Sequence, residues 1–346
     1  MSATAQTRAL FVCKRRTTYG MSIGLVNSAQ FVSLMLRSRG VESRVEVVTD
    51  ANDVDRVVTQ YNPTHVFVEA IWITPTKMDV LLRKHRKSQW AVRVHSNIPF
   101  LAHEGIAMEW LSAYEHINAS CGNLVVAANS HRCCRDLNVA GMPSILLENI
   151  YWLGGAARSL WHPHREALKI GCFGAMRPMK NQLLQGVAAI ALADRLGRKV
   201  EFHVNGTRFE QGGESVLRNL RAMFAGCRNA KLVEQPWLDH DGFMGLVSGM
   251  DLGMQVSFSE TFNIVAADFV SAGVPVIVSP EMEWLPVWTK ASTTDSESMV
   301  ETAVLNLRVA RIGSTIINRI CLSRHNERVS RCWMGFVGEC RQVRKP

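Results

Sequence analysis

No stretch of the chain approaches the roughly 18 uninterrupted apolar residues that a membrane span requires, and the most apolar segments, such as 272–278, have strand length. An integral membrane helix is therefore not expected. Residues 1–7 are small and polar, with no basic segment leading into an apolar one. A cleaved export signal is not expected, and the location that follows is cytoplasmic. The nine cysteines contain no C-x-x-C pair, which argues against a zinc site or a disulfide frame and for reduced thiols. With 11 prolines and 20% charged residues against 47% hydrophobic, extended disorder is excluded. There is no repeat at solenoid period and no low-complexity tract.

What is present is enough chain for about two domains, since 346 residues exceed one ordinary core. The formal net charge is +9, which favours an anionic partner: a nucleotide, a nucleic acid or an anionic lipid surface. The excess is uneven. Residues 308–346 hold nine basic side chains against Glu327 and Glu339, and further clusters stand at Lys14-Arg15-Arg16 and at Arg83-Lys84-His85-Arg86-Lys87. A solvated helix face explains any one such run; three together point to a polyanion.

Short apolar runs alternate with helical periodicity twice over. Strands are expected at 9–13, 44–48, 65–69, 91–95, 124–128 and 144–147, and again at 169–173, 200–204, 231–233, 252–256 and 275–278. Helices are expected at 25–39, 181–196, 215–224, 241–248 and 262–272. Strands buried on both faces and joined by helices specify parallel α/β sheets. The expected organisation is a Rossmann-like domain over 1–150, a linker over 151–167, a second Rossmann-like domain over 168–318 and a basic C-terminal helix over 319–346. Two such domains facing each other across a cleft would bring the carboxyl ends of both sets of strands to the ligand.

Two segments carry chemistry. In 257–279, SFSETFNIVAADFVSAGVPVIVS, a strand leads through Ser259-Glu260-Thr261 into a helix that stops at Gly273. Thr261 is the expected N-cap, and the amides near Phe262, Asn263 and Ile264 suit a phosphate. Glu260 just before the helix and Asp268 two turns on can share one side of it. The second segment, Gly174-Ala175-Met176-Arg177-Pro178-Met179-Lys180-Asn181, offers a forked guanidinium and a point charge in a loop after a strand.

The first string resembles the E-x7-E motif of retaining GT-B glycosyltransferases, with Glu260, Phe262, Gly273, Pro275, Val276 and Ile277 in register. It departs where Thr261 and Asn263 replace glycines and Asp268 replaces a glutamate. The second is similar to that family's G-R-x-x-x-x-K-G loop. The resemblance covers 169–286 well and the first half in outline. It implies that Arg177 and Lys180 hold the donor diphosphate, Glu260 the sugar hydroxyls, Asp268 the ribose and the amides of Asn263 and Ile264 a phosphate. It also implies a nucleobase pocket near Asn205, Gly206 and Trp237, although core packing serves Trp237 equally well. Gly24, in Gly20-Met21-Ser22-Ile23-Gly24, resembles the glycine loop facing the donor phosphates, and His95 stands where relatives present a histidine.

The reaction so implied moves a sugar from a nucleotide-diphosphate sugar, UDP-sugar favoured, to an acceptor hydroxyl with retention. The leaving phosphate serves as base. No D-x-D pair suited to carrying Mg²⁺ to a diphosphate is read, so neither metal nor cofactor is expected beyond the donor. For the acceptor, Lys14, Arg15, Arg16, His95 and His103 are the candidates, with Glu69 and Glu104 in reserve. The size, charge and lack of membrane features resemble phage DNA glucosyltransferases, so a hydroxymethylated base in DNA is favoured over a membrane surface. The alternatives are transfer to a lipid-linked or cell-surface glycan and a catalytically silent GT-B protein that binds nucleic acid or another partner. The C-terminal helix, 319–343, is expected to return to the first domain through Ile320, Trp333, Phe336 and Val337.

Overall fold

The computed structural model describes residues 6–16, 20–21, 23–154, 166–308 and 311–339. They form two compact units, one of residues 1–152 with 326–346 and the other of 153–325. The first contains β1 (Arg8–Arg16), β2 (Gly20–Met21), α1 (Ile23–Ser38), β3 (Glu42–Val48), α2 (Ala51–Tyr61), β4 (His65–Glu69), α3 (Pro75–Lys84), β5 (Gln89–Val94), α4 (Ile98–Leu101), α5 (Ala107–Cys121), β6 (Leu124–Ala128), α6 (His131–Val139) and β7 (Ser144–Leu146). Among the described residues the sheet runs β3-β1-β4-β5-β6-β7, all parallel, with β2 antiparallel on the end of β1.

Alternation along the strands feeds two cores. Leu10, Val12, Val66, Val68 and Val92 point into a layer filled by α2, α3, α5 and α6. Ala9, Phe11, Phe67 and Ala91 point the other way, onto α1. That second layer is closed by the end of the chain, because Val329, Trp333 and Val337 are buried in it, with Phe11 stacked on Phe67 at 4.7 Å.

The second unit contains β8 (Ala167–Cys172), α7 (Gln182–Leu196), β9 (Lys199–Asn205), α8 (Gly213–Ala225), β10 (Ala230–Gln235), α9 (His240–Ser248), β11 (Leu252–Gln255), α10 (Ile264–Ala272), β12 (Val276–Val278) and α11 (Ser296–Arg308), followed by α12 (Arg311–Glu339). Its parallel sheet has the order β10-β9-β8-β11-β12, so the strand order reverses at β8. Such a reversal opens a crevice at the carboxyl ends of the flanking strands, where the loops after β8 and β11 diverge.

Several boundaries differ from expectation. β1 does not stop at Cys13: Lys14, Arg15 and Arg16 continue it, and Arg15 and Arg16 pair with Met21 and Gly20. Gly24 lies in the first turn of α1 rather than in the loop before it, and accepts a hydrogen bond from Ser28 Oγ. α10 begins at Ile264, two residues late, because its cap is Asn263 and not Thr261. α11 was not expected at all. Of the expected linker, 155–165 lies outside the described residues, and Ala167 already opens β8. α12 is one 29-residue helix that starts in the second unit, where Ser314 bonds Asn306, and ends in the first. Ile320 does not join its packing face but is 44% exposed.

Candidate functional site

In the second unit the expected donor residues gather at the carboxyl edge of the sheet. The loop after β8 turns at Gly174, whose φ of +118° excludes most side chains, and its N–H donates to Asn205 Oδ1 at 2.8 Å. Asn205, expected near the nucleobase, is buried, and its amide oxygen is used to tie two loops together. The loop after β9 is zipped to the same segment: Met176 N–H donates to Arg208 O at 2.9 Å and Glu210 N–H to Met176 O at 2.9 Å. Gly213 permits this approach, since a Cβ there would stand 1.9 Å from Met176 O.

The zipper positions a cation pair around one acid. Arg177 Nη1 donates to Glu210 Oε2 at 2.9 Å and Arg208 Nη2 to Glu210 Oε1 at 2.8 Å. Arg208 lies over the Trp237 ring at 4.5 Å, and Trp237 is 36% exposed. Core packing is thus not its role. Gly206 N–H donates to Gln235 O at 3.0 Å in the same rim. Arg208 and Glu210 were missed in the sequence because a glycine-flanked loop without periodicity marks no partner.

Lys180 Nζ and Glu260, the cation and the carboxylate of the two strings, form an ion pair, with side chains only 12% and 10% exposed. The physical reason is mutual neutralisation: either charge, largely removed from water, would be costly without the other. Asn181, in the left-handed region at φ 59°, donates from Nδ2 to Val256 O and Thr293 O. Gln185 accepts from Val256 N–H at 2.9 Å and donates to Lys180 O at 2.8 Å. Together these bonds fasten the Lys180 loop to the end of β11, so the pair's reach is set by buried amides.

Asn263 stands at φ 55°, and its side chain accepts from Ala266 N–H at 3.0 Å. Asparagine is the non-glycine residue that best tolerates this conformation, so the left-handed cap forms here without a glycine. Its Nδ2 donates to Gln255 Oε1 at 3.2 Å. The amides of Ile264 and Val265 open the helix ahead of its internal bonding ladder, as anion binding requires. Asp268 is buried at 3% exposure.

In the first unit, His95 follows β5 directly. Its Nε2 lies 2.5 Å from Glu69 Oε2, and Arg93 Nη1 donates to both Glu69 oxygens at 2.9 and 3.0 Å. Arg93 also donates to Leu147 O and Asn149 Oδ1 and lies 4.9 Å from the Trp333 ring. Burial works to raise the Glu69 carboxyl, but the Arg93 guanidinium and His95 outweigh it and hold it below its ordinary value. Burial pushes His95 down, against the pull of Glu69. A neutral ring donating from Nε2 to a charged Glu69–Arg93 pair fits these directions, and the tautomer follows from the carboxylate partner. A pocket of about 310 Å³ opens beside Glu69 between β1, the turn after β4 and the start of α5. Lys14 lines it, while His103 is exposed outside it.

The basic clusters do not merge into one track. Arg83 pairs with Asp79 at 2.9 Å, and Asp55 takes both Lys84 at 2.6 Å and His85 at 2.7 Å. That cluster precedes β5 and so occupies the amino edge of the sheet, opposite to Lys14 and Arg15. Arg328 is bidentate on Glu148, and Arg319 donates to Ser271 O. Of the other expected cations, Arg341, Arg344 and Lys345 and the side chains of Arg16, Arg308 and Arg311 lie outside the described residues. Two D-x-D spacings do occur, at Asp53–Asp55 and Asp239–Asp241; Asp55 is taken by Lys84 and His85, and Asp239 caps α9. Among the described residues no group of three or more His, Cys, Asp or Glu is placed to hold a metal ion. No described helix is long and apolar enough to cross a membrane.

No protein-family model matches the chain, and no curated protein sequence does. Solved structures do. A trehalose-6-phosphate synthase, OtsA, superposes with a TM-score of 0.68 at 9% identity, over 96% of this chain and 99% of that one. Anabaena HepE in complex with UDP and glucose gives 0.66 at 13% identity, over 95% and 100%. The lipopolysaccharide outer core galactosyltransferase WaaB gives 0.59 at 11% identity, over 94% and 97%. With two parallel-sheet Rossmann-like units and matches along nearly its whole length, the chain has the GT-B fold.

Proposed function

We propose that the chain is a retaining glycosyltransferase that passes a sugar from a UDP-sugar to an acceptor hydroxyl. The observation that carries this reading is the Lys180–Glu260 ion pair beside Arg177, at the edge of a sheet where this fold receives ligands. UDP is favoured as the nucleotide because HepE, of the same fold, was solved with UDP and glucose. In the reaction the acceptor oxygen bonds the anomeric carbon as that carbon's bond to the diphosphate oxygen breaks. The bonding pair leaves with UDP, and the hydroxyl proton passes to a leaving phosphate oxygen.

Arg177, Lys180 and the start of α10 at Asn263 and Ile264 offset the negative charge that develops on the leaving diphosphate. Glu260 accepts from the donor sugar's hydroxyls and Asp268 from the ribose. Because Lys180 and Glu260 neutralise each other without ligand, a donor that engages both exchanges one ion pair for two polar contacts. The pair thus presents to the donor already oriented.

Two acceptors are each favoured by an observation. A saccharide is favoured by the fold shared with WaaB and a trehalose-6-phosphate synthase. A hydroxymethylated base in DNA is favoured by the net charge of +9 and by exposed Lys14 and Arg15 at the carboxyl edge of the first unit's sheet. The first test is thermal stability with UDP or GDP: UDP at a hundredfold over its Kd should stabilise the fold by about 2.7 kcal/mol. The second supplies labelled UDP-glucose with hydroxymethylcytosine DNA, hydroxymethyluracil DNA, a lipid extract or free hexoses. A chain that neither binds UDP nor labels any acceptor sinks the enzyme reading.

A further inference from the structure

The pocket of the first unit opens at the carboxyl edge of the sheet, between the ends of β1 and β4 and the starts of α1 and α5. Leu25, Val26, Ile71, Trp72 and Ile106 supply most of its wall, and the buried Cys13 thiol adds a small, weakly polar surface. Its charges cancel. Glu69 is already taken by Arg93 and His95, and Lys14 and Glu104 contribute one charge of each sign. The wall is also held in place before any ligand arrives. Trp72 Nε1–H donates to Glu69 O at 3.0 Å, and Ala70 N–H donates to Arg93 O at 3.0 Å where the chain turns off β4 at φ 71°. Arg93 has no exposed surface and is fixed in turn by Leu147 O and Asn149 Oδ1. Such a lining selects against two ligand classes. A sugar ring buried here would leave most of its hydroxyls facing carbon, and a hydroxyl buried without a partner opposes binding. A phosphorylated ligand would find one cation, opposed by Glu104.

We propose that this pocket binds a small neutral alcohol with an apolar body, an aryl or alicyclic ring system laid against the Trp72 indole, as an acceptor for the sugar. The inference rests on the glycosyl-transfer reading and names an acceptor class outside the two weighed above. A volume of about 310 Å³ lies at the small end of ligand pockets, which limits the body to about two fused rings. The ring meets the aliphatic wall and the indole face. Ile106, 48% exposed at the rim, offers its edge a further apolar contact. The single hydroxyl is the one polar group that such a ligand must satisfy, and Lys14 as donor or Glu104 as acceptor can do so. In the transfer the alcohol oxygen bonds the anomeric carbon as that carbon's bond to the diphosphate oxygen breaks. The bonding pair leaves with UDP, and the hydroxyl proton passes to a leaving phosphate oxygen.

The test uses the full chain and 2-naphthol as the probe, with 2-naphthoate, glucose and a hydroxymethylcytosine duplex as contrasts. Calorimetric titration without UDP should show 2-naphthol bound at one site, about tenfold more tightly than 2-naphthoate, and no binding of glucose. Trp72→Ala should weaken 2-naphthol binding about tenfold. Trp72→Phe, which keeps a ring, should retain most of the affinity and covers the case of an unstable alanine variant. Ile106→Glu, at an exposed position, should also weaken binding by setting a charge against the ring. Supplied with labelled UDP-glucose, the protein should pass label to 2-naphthol. No binding of 2-naphthol, or equal binding in wild type, Trp72→Ala and Ile106→Glu, would overturn the pocket assignment, as would label on glucose or the duplex and none on 2-naphthol. Binding that follows these variants, in a chain that shows no UDP-induced thermal shift and transfers no label, would keep the ligand class and reject the glycosyl-transfer reading instead.

Discussion

Lys180 and Glu260, 80 positions apart, close on each other at the edge of the second unit's sheet, each nearly nine-tenths covered. Neither residue's sequence neighbours specify the partner. The contact exists because β8 and β11 are adjacent strands, so the loops that leave them are neighbours in space. Lys180→Ala and Glu260→Gln should each lower kcat by about 10²–10³ with the fold retained. Circular dichroism beside turnover of labelled UDP-glucose checks this; a variant that unfolds, or one with wild-type turnover, counts against the assignment.

Glu210 holds Arg177 and Arg208 on its two oxygens. Glu210→Ala should loosen both guanidinium groups and weaken UDP binding about tenfold, whereas Glu210→Gln, which keeps an acceptor oxygen, should cost less. Calorimetric titration with UDP distinguishes the two, and equal effects would remove the positioning role.

Asn263 combines a left-handed backbone with a helix cap. Asn263→Gly should cost only a few tenths of a kcal/mol, and Asn263→Ala about 1–2 kcal/mol, because alanine loses the cap and is strained at that φ. Urea denaturation should rank them in that order.

Acid should destabilise the fold in two stages. The native state holds His95 neutral with its pKa below the ordinary 6.5, so the unfolded chain takes up the proton first as pH falls. That contribution is fully present above about 6.5 and is lost below it. Glu69, held below the ordinary 4.5, adds a second loss at lower pH. In Glu69→Gln the His95 ring loses the carboxylate that pulls its pKa up, so its NMR titration should move further down; an unmoved titration contradicts the coupling.

Trp333 is fully buried and donates from Nε1 to Glu148 O at 2.9 Å while facing Phe11, Phe67 and Arg93. Trp333→Ala should cost about 3–5 kcal/mol, read as a shift in the urea midpoint.

The sequence alone determined the two alternating α/β halves, because a strand buried on both faces must be a short apolar run and a helix between such strands must carry its own period. It also singled out Arg177, Lys180, Glu260 and Asp268 as candidates in two strings of fixed spacing, of which the structure joins Lys180 and Glu260 and buries Asp268. Only the tertiary structure decided what those charges touch. Ion pairs such as Lys180–Glu260, Arg177–Glu210 and Arg93–Glu69 join different loops or strands, and no local rule encodes them. The same holds for the basic clusters: charge counting summed Arg83, Lys84 and His85 with Lys14 and Arg15, whereas the fold neutralises the first group with Asp55 and Asp79 and leaves the second exposed. Asn263 lies between the two cases. Its residue type permitted a left-handed cap and its bond from Ala266 N–H is local, but the bond to Gln255 that holds the cap in place, with α10 starting at Ile264, comes from the end of β11 and depends on the folded chain.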